Sequence, residues 1–208
     1  MKLQISFDAT DLNNAIESAT LVADYADIFA LETILIYTHG LKAIERFKEA
    51  FPRKTILADS KIVDSGKDSA TAFASAGADW ITVMAGTSKQ VIHAACTAAN
   101  NANVKVMLDL LDASSLGQSA MEAKNLGVDA LLFNHPYDET NSLLFLDKWE
   151  MLKGNSALPI FISAKIKRDT VENIVSIKPD GIIVGKAITG AKDPAQEAEF
   201  FATLCGKK

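Results

Sequence analysis

Eight short apolar runs, most of them rich in β-branched residues, divide this chain from end to end, and stretches with helical periodicity lie between them. The runs are LQISF (3–7), DIFAL (27–31), TILA (55–58), WITVM (80–84), VKVML (104–108), ALLFN (130–134), PIFIS (159–163) and GIIV (181–184). Several are nearly continuous in apolar residues, which suits strands of a parallel sheet covered on both faces. Segments between them, such as LNNAIESATLVADY, VIHAACTAANNA and LGQSAMEAKNLG, repeat apolar residues at helical intervals. Gly77 and Gly127 stand where helices should stop before the next strand. The strand-end residues Asp59, Met84, Asp109 and Asn134 are spaced 25 apart. One strand plus one helix, repeated eight times, predicts an α/β fold: a compact (β/α)8 TIM barrel, a single domain over 1–208. An open doubly wound sheet seldom carries eight alternating units on such short connections.

Composition excludes several classes of function. The 208 residues, 49% of them hydrophobic and 23% charged, suffice for one sizeable core. A net charge of −5 offers no electrostatic footprint for nucleic acid or an anionic membrane. No apolar run approaches the ~18 residues of a membrane span, and Met1–Phe7 is too short and too mixed for a signal peptide. Cys96 and Cys205 lack metal-ligand spacing and read as inert thiols of a reducing compartment. A soluble, cytoplasmic protein with no nucleic-acid or membrane partner is the expectation.

A barrel of this kind builds its active site at the C-terminal ends of the strands. Asp8, Asp59 with Lys61, Asp109, and Asn134 with His135 all fall at such ends and should converge on one mouth. The stretch ILADSKIVDSG (56–66) is the densest of these, with Asp59, Lys61 and Asp64 inside six positions.

That stretch resembles the Asp-x-Lys-x-x-Asp signature of the orotidine 5'-monophosphate decarboxylase superfamily. The opening LQISFDATDLNNAI, the segment ADWITV and the closing GIIVGKAITGAKDPAQEA narrow the resemblance. They are similar to the branch containing 3-hexulose-6-phosphate synthase and 3-keto-L-gulonate-6-phosphate decarboxylase. The resemblance covers nearly the whole chain in order. It implies a Mg²⁺ ion that holds a phosphorylated ketose and stabilises a 1,2-enediolate, a Lewis-acid role needing oxygen ligands. It implies Asp59 as a metal ligand, Lys61 as a cationic stabiliser and Asp8 as a substrate contact or orienter of that lysine. Asp109 would help organise the metal region. Asp64 would reach into a partner's site, hence a homodimer with shared active sites; the alternative for Asp64 is a helix-entry residue.

The sequence departs from the family pattern at three strand ends. The second strand of the family ends Glu-x-Gly-Thr-Pro, but here Ala30 takes the glutamate's place and Glu32 stands two residues on, on the same face of a strand. Glu32 is therefore expected at the metal or, otherwise, as a rim acid. The sixth strand places Asn134 where the family has a proton-handling histidine, with His135 adjacent. His135 substitutes only if a bulge re-aims it. Asn134 can hydrogen-bond a substrate oxygen, and Asp138 matches a family acid. The seventh strand replaces a Gly-Gly pair with Ala164 and Lys165, losing conformational freedom but gaining a charge. The eighth keeps Gly185 and adds Lys186. A phosphate between Lys165, Lys186 and the helix start after Gly185 is expected.

These features predict a 3-hexulose-6-phosphate synthase-like lyase that adds an enediolate of ribulose 5-phosphate to formaldehyde. A 3-keto-L-gulonate-6-phosphate decarboxylase is the alternative, because the two reactions share one intermediate. A phospho-sugar-binding homologue with weakened catalysis is the alternative of another class, favoured by Ala30 and Asn134. A Schiff-base aldolase is disfavoured at Lys61, whose carboxylate neighbours suppress nucleophilicity; Lys165 escapes that objection but has no motif.

Overall fold

Eight parallel strands pair in chain order and close on themselves, β8 against β1. They are β1 (Lys2–Phe7), β2 (Ile28–Leu31), β3 (Thr55–Ile62), β4 (Trp80–Met84), β5 (Lys105–Asp109), β6 (Ala130–Asn134), β7 (Ile160–Ser163) and β8 (Gly181–Val184). The structure is a computed structural model, and it describes residues 1–135 and 142–206. Around the barrel run α1 (Leu12–Leu21), α2 (Thr33–His39), α3 (Leu41–Ala50), α4 (Gly66–Ser75) and α5 (Lys89–Asn101). The ring continues with α6 (Leu116–Leu126), α7 (Ser142–Asn155), α8 (Val171–Ser176), α9 (Lys186–Thr189) and α10 (Pro194–Leu204). The predicted TIM barrel is the observed fold.

Two layers of apolar packing follow from the period-two alternation of the strands. Ile28, Ala30, Leu57, Met107, Ala130, Leu132, Phe161 and Ile183 fill the barrel interior. The residues between them, among them Phe29, Leu31, Ile56, Leu108, Leu131 and Phe133, face the helices and form the larger core. Phe29 makes edge-to-face contacts with Phe7 at 5.2 Å and with Phe51 at 5.1 Å, tying β1, β2 and the end of α3 together. Gly77 and Gly127 both adopt left-handed backbone, with φ of 96° and 93°, and end their helices where the sequence places them. Gly66 opens α4 against α5 so closely that any Cβ there would collide with the Val91 carbonyl.

Four aspartates at the N-terminal ends of the strands secure the barrel floor. Asp27, Asp79, Asp129 and Asp180 accept the backbone N–H of Leu3, Ile56, Val106 and Ile160 at 2.8–2.9 Å. Each precedes an even-numbered strand and holds the start of the odd-numbered strand before it. These acids belong to stability; the acids at the other end of the barrel have different surroundings.

Candidate active site

The same alternation that fills the interior carries polar side chains into the mouth. Continuing the inward set upward gives Gln4 and Ser6 on β1, Asp59 on β3, Thr82 on β4, Asp109 on β5, Asn134 on β6 and Ser163 on β7. Gln4, Asp59, Lys61, Thr82, Asn134 and Ser163, together with Glu32, line one small cavity of about 30 Å³ at the top of the interior. Above it lies a cavity of about 550 Å³ bounded by Asp8, Glu32, Ser163, Lys165, Gly185 and Lys186, with Ile166, Ile183 and Ala187 as apolar wall.

Lys61 reaches this group through an irregularity in β3. The register against β4 slips between Ala58 and Ile62, and Lys61 sits at φ 44°. A residue with a Cβ seldom adopts that conformation, and here it is held by a backbone hydrogen bond from Lys61 N to Thr82 Oγ1 at 2.9 Å. The bulge presents Asp59 and Lys61 to the same side. Lys61 Nζ lies 2.7 Å from Asp109 Oδ2 and 3.1 Å from Asp59 Oδ2. Burial alone would lower the lysine's pKa, but Asp59 and Asp109 reverse that and raise it above the usual lysine value. Lys61 is thus a permanent cation, which disfavours the Schiff-base route through it.

Both carboxylates are tightly held. Asp59 accepts Thr82 Oγ1 at 2.9 Å on Oδ1 and Thr33 Oγ1 at 2.9 Å on Oδ2. Asp109, fully buried, accepts the Leu111 N–H at 3.0 Å on Oδ1, while Oδ2 meets Lys61 and, at 3.5 Å, Asn134 Nδ2. Asp109 thus pairs with Lys61, which the irregularity in β3 brings within reach of β5. Glu32, the residue between β2 and α2, takes the position the sequence left open: it lines both cavities beside Ser6 and Asp59. Burial and the Asp59 charge push its carboxyl up to about 8, against weaker opposing effects of Ser6 and Lys61.

Among the described residues no group of three or more His, Cys, Asp and Glu side chains is arranged to hold a metal ion alone. Mg²⁺ ordinarily takes one or two protein carboxylates and completes its shell with substrate oxygens and water. Glu32 beside Asp59 is such a pair, and a cation there would offset both the burial and the Asp59 charge that raise Glu32. The donor set fits on those two residues.

His135 is turned away from the mouth. β6 is regular through Asn134↔Ser163, so no bulge re-aims the next residue. The imidazole stacks on Phe133 and Phe145 and takes a 3.2 Å contact from Lys148 Nζ on α7. Burial and Lys148 lower its pKa. Asp64 is exposed; its Oδ1 accepts the Ser65 N–H at 2.6 Å, and it does not join the ion pairs of Lys61. Asp8 pairs with Lys186 across the larger cavity at 3.4 Å. Lys165 is exposed at φ 51°, so the left-handed backbone that a glycine would favour is present with a side chain on it. Asp138 lies outside the described residues. Thr33, Thr82, Ser163 and Gln4 were not legible as site residues. A lone hydroxyl or amide carries no motif; the inward parity of the strands could have pointed to Gln4, Thr82 and Ser163, but Thr33 opens α2 and has no such signal.

Residues 1–201 match the profile of the orotidine 5'-phosphate decarboxylase / HUMPS family. The chain belongs to this family. Among its relatives is the 3-hexulose-6-phosphate synthase of Bacillus subtilis (strain 168), 34% identical over 98% of each chain. The crystal structure of 3-hexulose-6-phosphate synthase from Salmonella typhimurium superposes with a TM-score of 0.89, at 32% identity and 98% coverage of both chains. The 3-keto-L-gulonate-6-phosphate decarboxylase from Vibrio cholerae gives 0.85 at 26% identity, covering 99% of this chain and 97% of that one. The likeness to this family runs the length of the barrel. No helix among the described residues is long and apolar enough to cross a membrane.

Proposed function

We propose that this protein is a 3-hexulose-6-phosphate synthase-like lyase, condensing formaldehyde with ribulose 5-phosphate through a 1,2-enediolate. The observation that carries this reading is Lys61, kept charged by two buried carboxylates and directed into the mouth of the barrel. A fixed cation in a site shielded from water stabilises an oxyanion that forms only along the reaction, so it lowers the barrier more than it tightens substrate binding. Asp59 and Asp109 fix its position in advance, which removes the reorganisation a free lysine would need.

Glu32 and Asp59 would hold Mg²⁺, which when bound supplies Lewis-acid stabilisation of the ketose oxygens. The cavity of about 550 Å³ has the size of a small-ligand site. Lys165 and Lys186 form its cationic rim, and a phosphate there would compete with Asp8 for Lys186. Asn134, 3.5 Å from Asp109, offers an N–H to a substrate oxygen but no titrating proton. Exposed Ile34 and Tyr37 on α2 and Val63 beside Asp64 support a homodimer in which Asp64 serves the partner's mouth. Cys96 and Cys205, both buried, accord with a cytoplasmic enzyme.

The test is formaldehyde consumption by the purified protein with ribulose 5-phosphate, with and without Mg²⁺. Loss that depends on Mg²⁺ is expected. Release of CO2 from 3-keto-L-gulonate 6-phosphate without formaldehyde loss would move the protein to the decarboxylase side of the branch. Binding of both sugars without turnover would mark the weakened homologue, a reading favoured by the outward turn of His135.

A further inference from the structure

The floor of the site contains a polar atom that neither the lysine nor the carboxylates use. Gln4 is 2% exposed on β1, and its Oε1 is fully buried without a hydrogen-bond partner among the described residues. Leaving a buried amide oxygen unpaired is costly, and native proteins rarely tolerate it without a compensating donor. Gln4 also lines the cavity of about 30 Å³ that Lys61, Asp59, Glu32, Thr82, Asn134 and Ser163 share, with Leu57, Leu132 and Ile183 as its apolar wall. A cavity of that size holds one water molecule, and a bound water needs two to four polar partners to be retained. Apolar cavities stay empty; this one has an orphaned acceptor at its base and a ring of polar side chains.

We infer that Gln4 fixes a single water molecule beneath Lys61, and that this water is part of the reaction site. Gln4 Oε1 accepts one of its hydrogens. Its other hydrogen and its lone pairs face the polar ring, where Asn134 and Ser163 carry the donors not committed to Asp59. The chain has Asn134 at its sixth strand end and His135 turned outward, so neither supplies a mobile proton to the mouth. A held water can instead donate a hydrogen bond to an oxygen of the substrate from a fixed position in this cavity. Gln4 is then a positioning residue acting through that water. The water site stands on geometry alone, whereas its part in turnover rests on the lyase reading above.

Two measurements on the full-length protein decide it. A crystal structure of the wild type near atomic resolution should show one water within hydrogen-bond distance of Gln4 Oε1 inside this cavity. A dry cavity, or Gln4 rotated onto a neighbouring side chain, overturns the site. Gln4→Met keeps the volume and removes the acceptor. If the water is held, this variant should lose it and lose about tenfold in kcat for formaldehyde consumption with KM for ribulose 5-phosphate unchanged. If Gln4 is a bare orphan, the variant should instead gain stability, with Tm rising by about 2–4 °C or more and kcat unchanged. That second pattern overturns the positioning role. A wild type that holds the water but turns over no formaldehyde counts against the lyase reading and against the water's part in it, and leaves the water site established.

Discussion

Asp109 has no solvent exposure, so its charge depends on what surrounds it, and Lys61 is the one ion-pair partner it has among the described residues. Removing a single member of a buried pair strands the other charge, at a cost of about 3–5 kcal/mol. Lys61→Met should therefore lower the unfolding free energy by that amount in urea titration, besides abolishing turnover. An unchanged midpoint would mean that the Lys61–Asp109 pair contributes nothing to stability. Glu32 makes the complementary case, because its carboxyl is raised from 4.5 to about 8. The folded state then holds a proton that the unfolded chain has released. The associated stability is fully present below pH 4.5 and is lost as pH rises through about 8. Across that window unfolding free energy should fall as pH rises. Glu32→Gln should flatten the slope, and denaturation series at several pH values would show it. Asp59, Lys61 and Asp109 were legible because a charge at the C-terminal end of a barrel strand has only the mouth to face. The threonines beneath them were not, since Thr82 acts through a hydroxyl whose partners come from another strand.

The strands carry this site by two devices, parity and a bulge. Parity was legible: alternate apolar residues reveal the inward face, and following it upward from Leu132 gives Asn134 inside and His135 outside. The bulge in β3 was not, because the apolar run TILA stops at Ala58 while the strand continues to Ile62, and no glycine marks the left-handed residue. The same blindness applies to Lys165, where nothing in the sequence marks a lysine held in left-handed backbone. Holding a lysine in that conformation costs about 1–2 kcal/mol, while a glycine there costs up to about 1 kcal/mol more chain entropy on folding. Lys165→Gly should accordingly leave stability unchanged or raise it by about 1 kcal/mol. If the rim lysines receive the phosphate, the same variant should weaken competitive inhibition by inorganic phosphate several-fold. An unaltered inhibition constant would place the phosphate elsewhere. The four floor aspartates show why acids cannot be ranked by charge alone: Asp129 and Asp109 flank the same part of the sheet, yet one secures a backbone N–H and the other a cation.

At the level of the whole molecule the barrel separates its duties, with backbone-securing acids at one end and the lysine and its carboxylates at the other. The eightfold order was visible from the apolar runs because a closed parallel sheet imposes one strand and one helix per step. The quaternary arrangement leaves less trace in a single chain, and it yields a sharp expectation. If Asp64 serves the partner's mouth, Lys61→Met and Asp64→Ala are each inactive, but mixing them after brief unfolding should restore about a quarter of wild-type activity through heterodimers with one intact site. Activity that never exceeds the parents would assign Asp64 to its own chain's loop. The central claim is that Lys61, fixed between Asp59 and Asp109, stabilises an enediolate of the ketose. It is tested most directly by following the C1 proton of ribulose 5-phosphate by NMR in deuterated buffer, with Mg²⁺ and without formaldehyde. The account predicts that the wild type exchanges this proton with solvent and that Lys61→Met does not; no exchange by a folded wild type, or equal exchange by both, would contradict it.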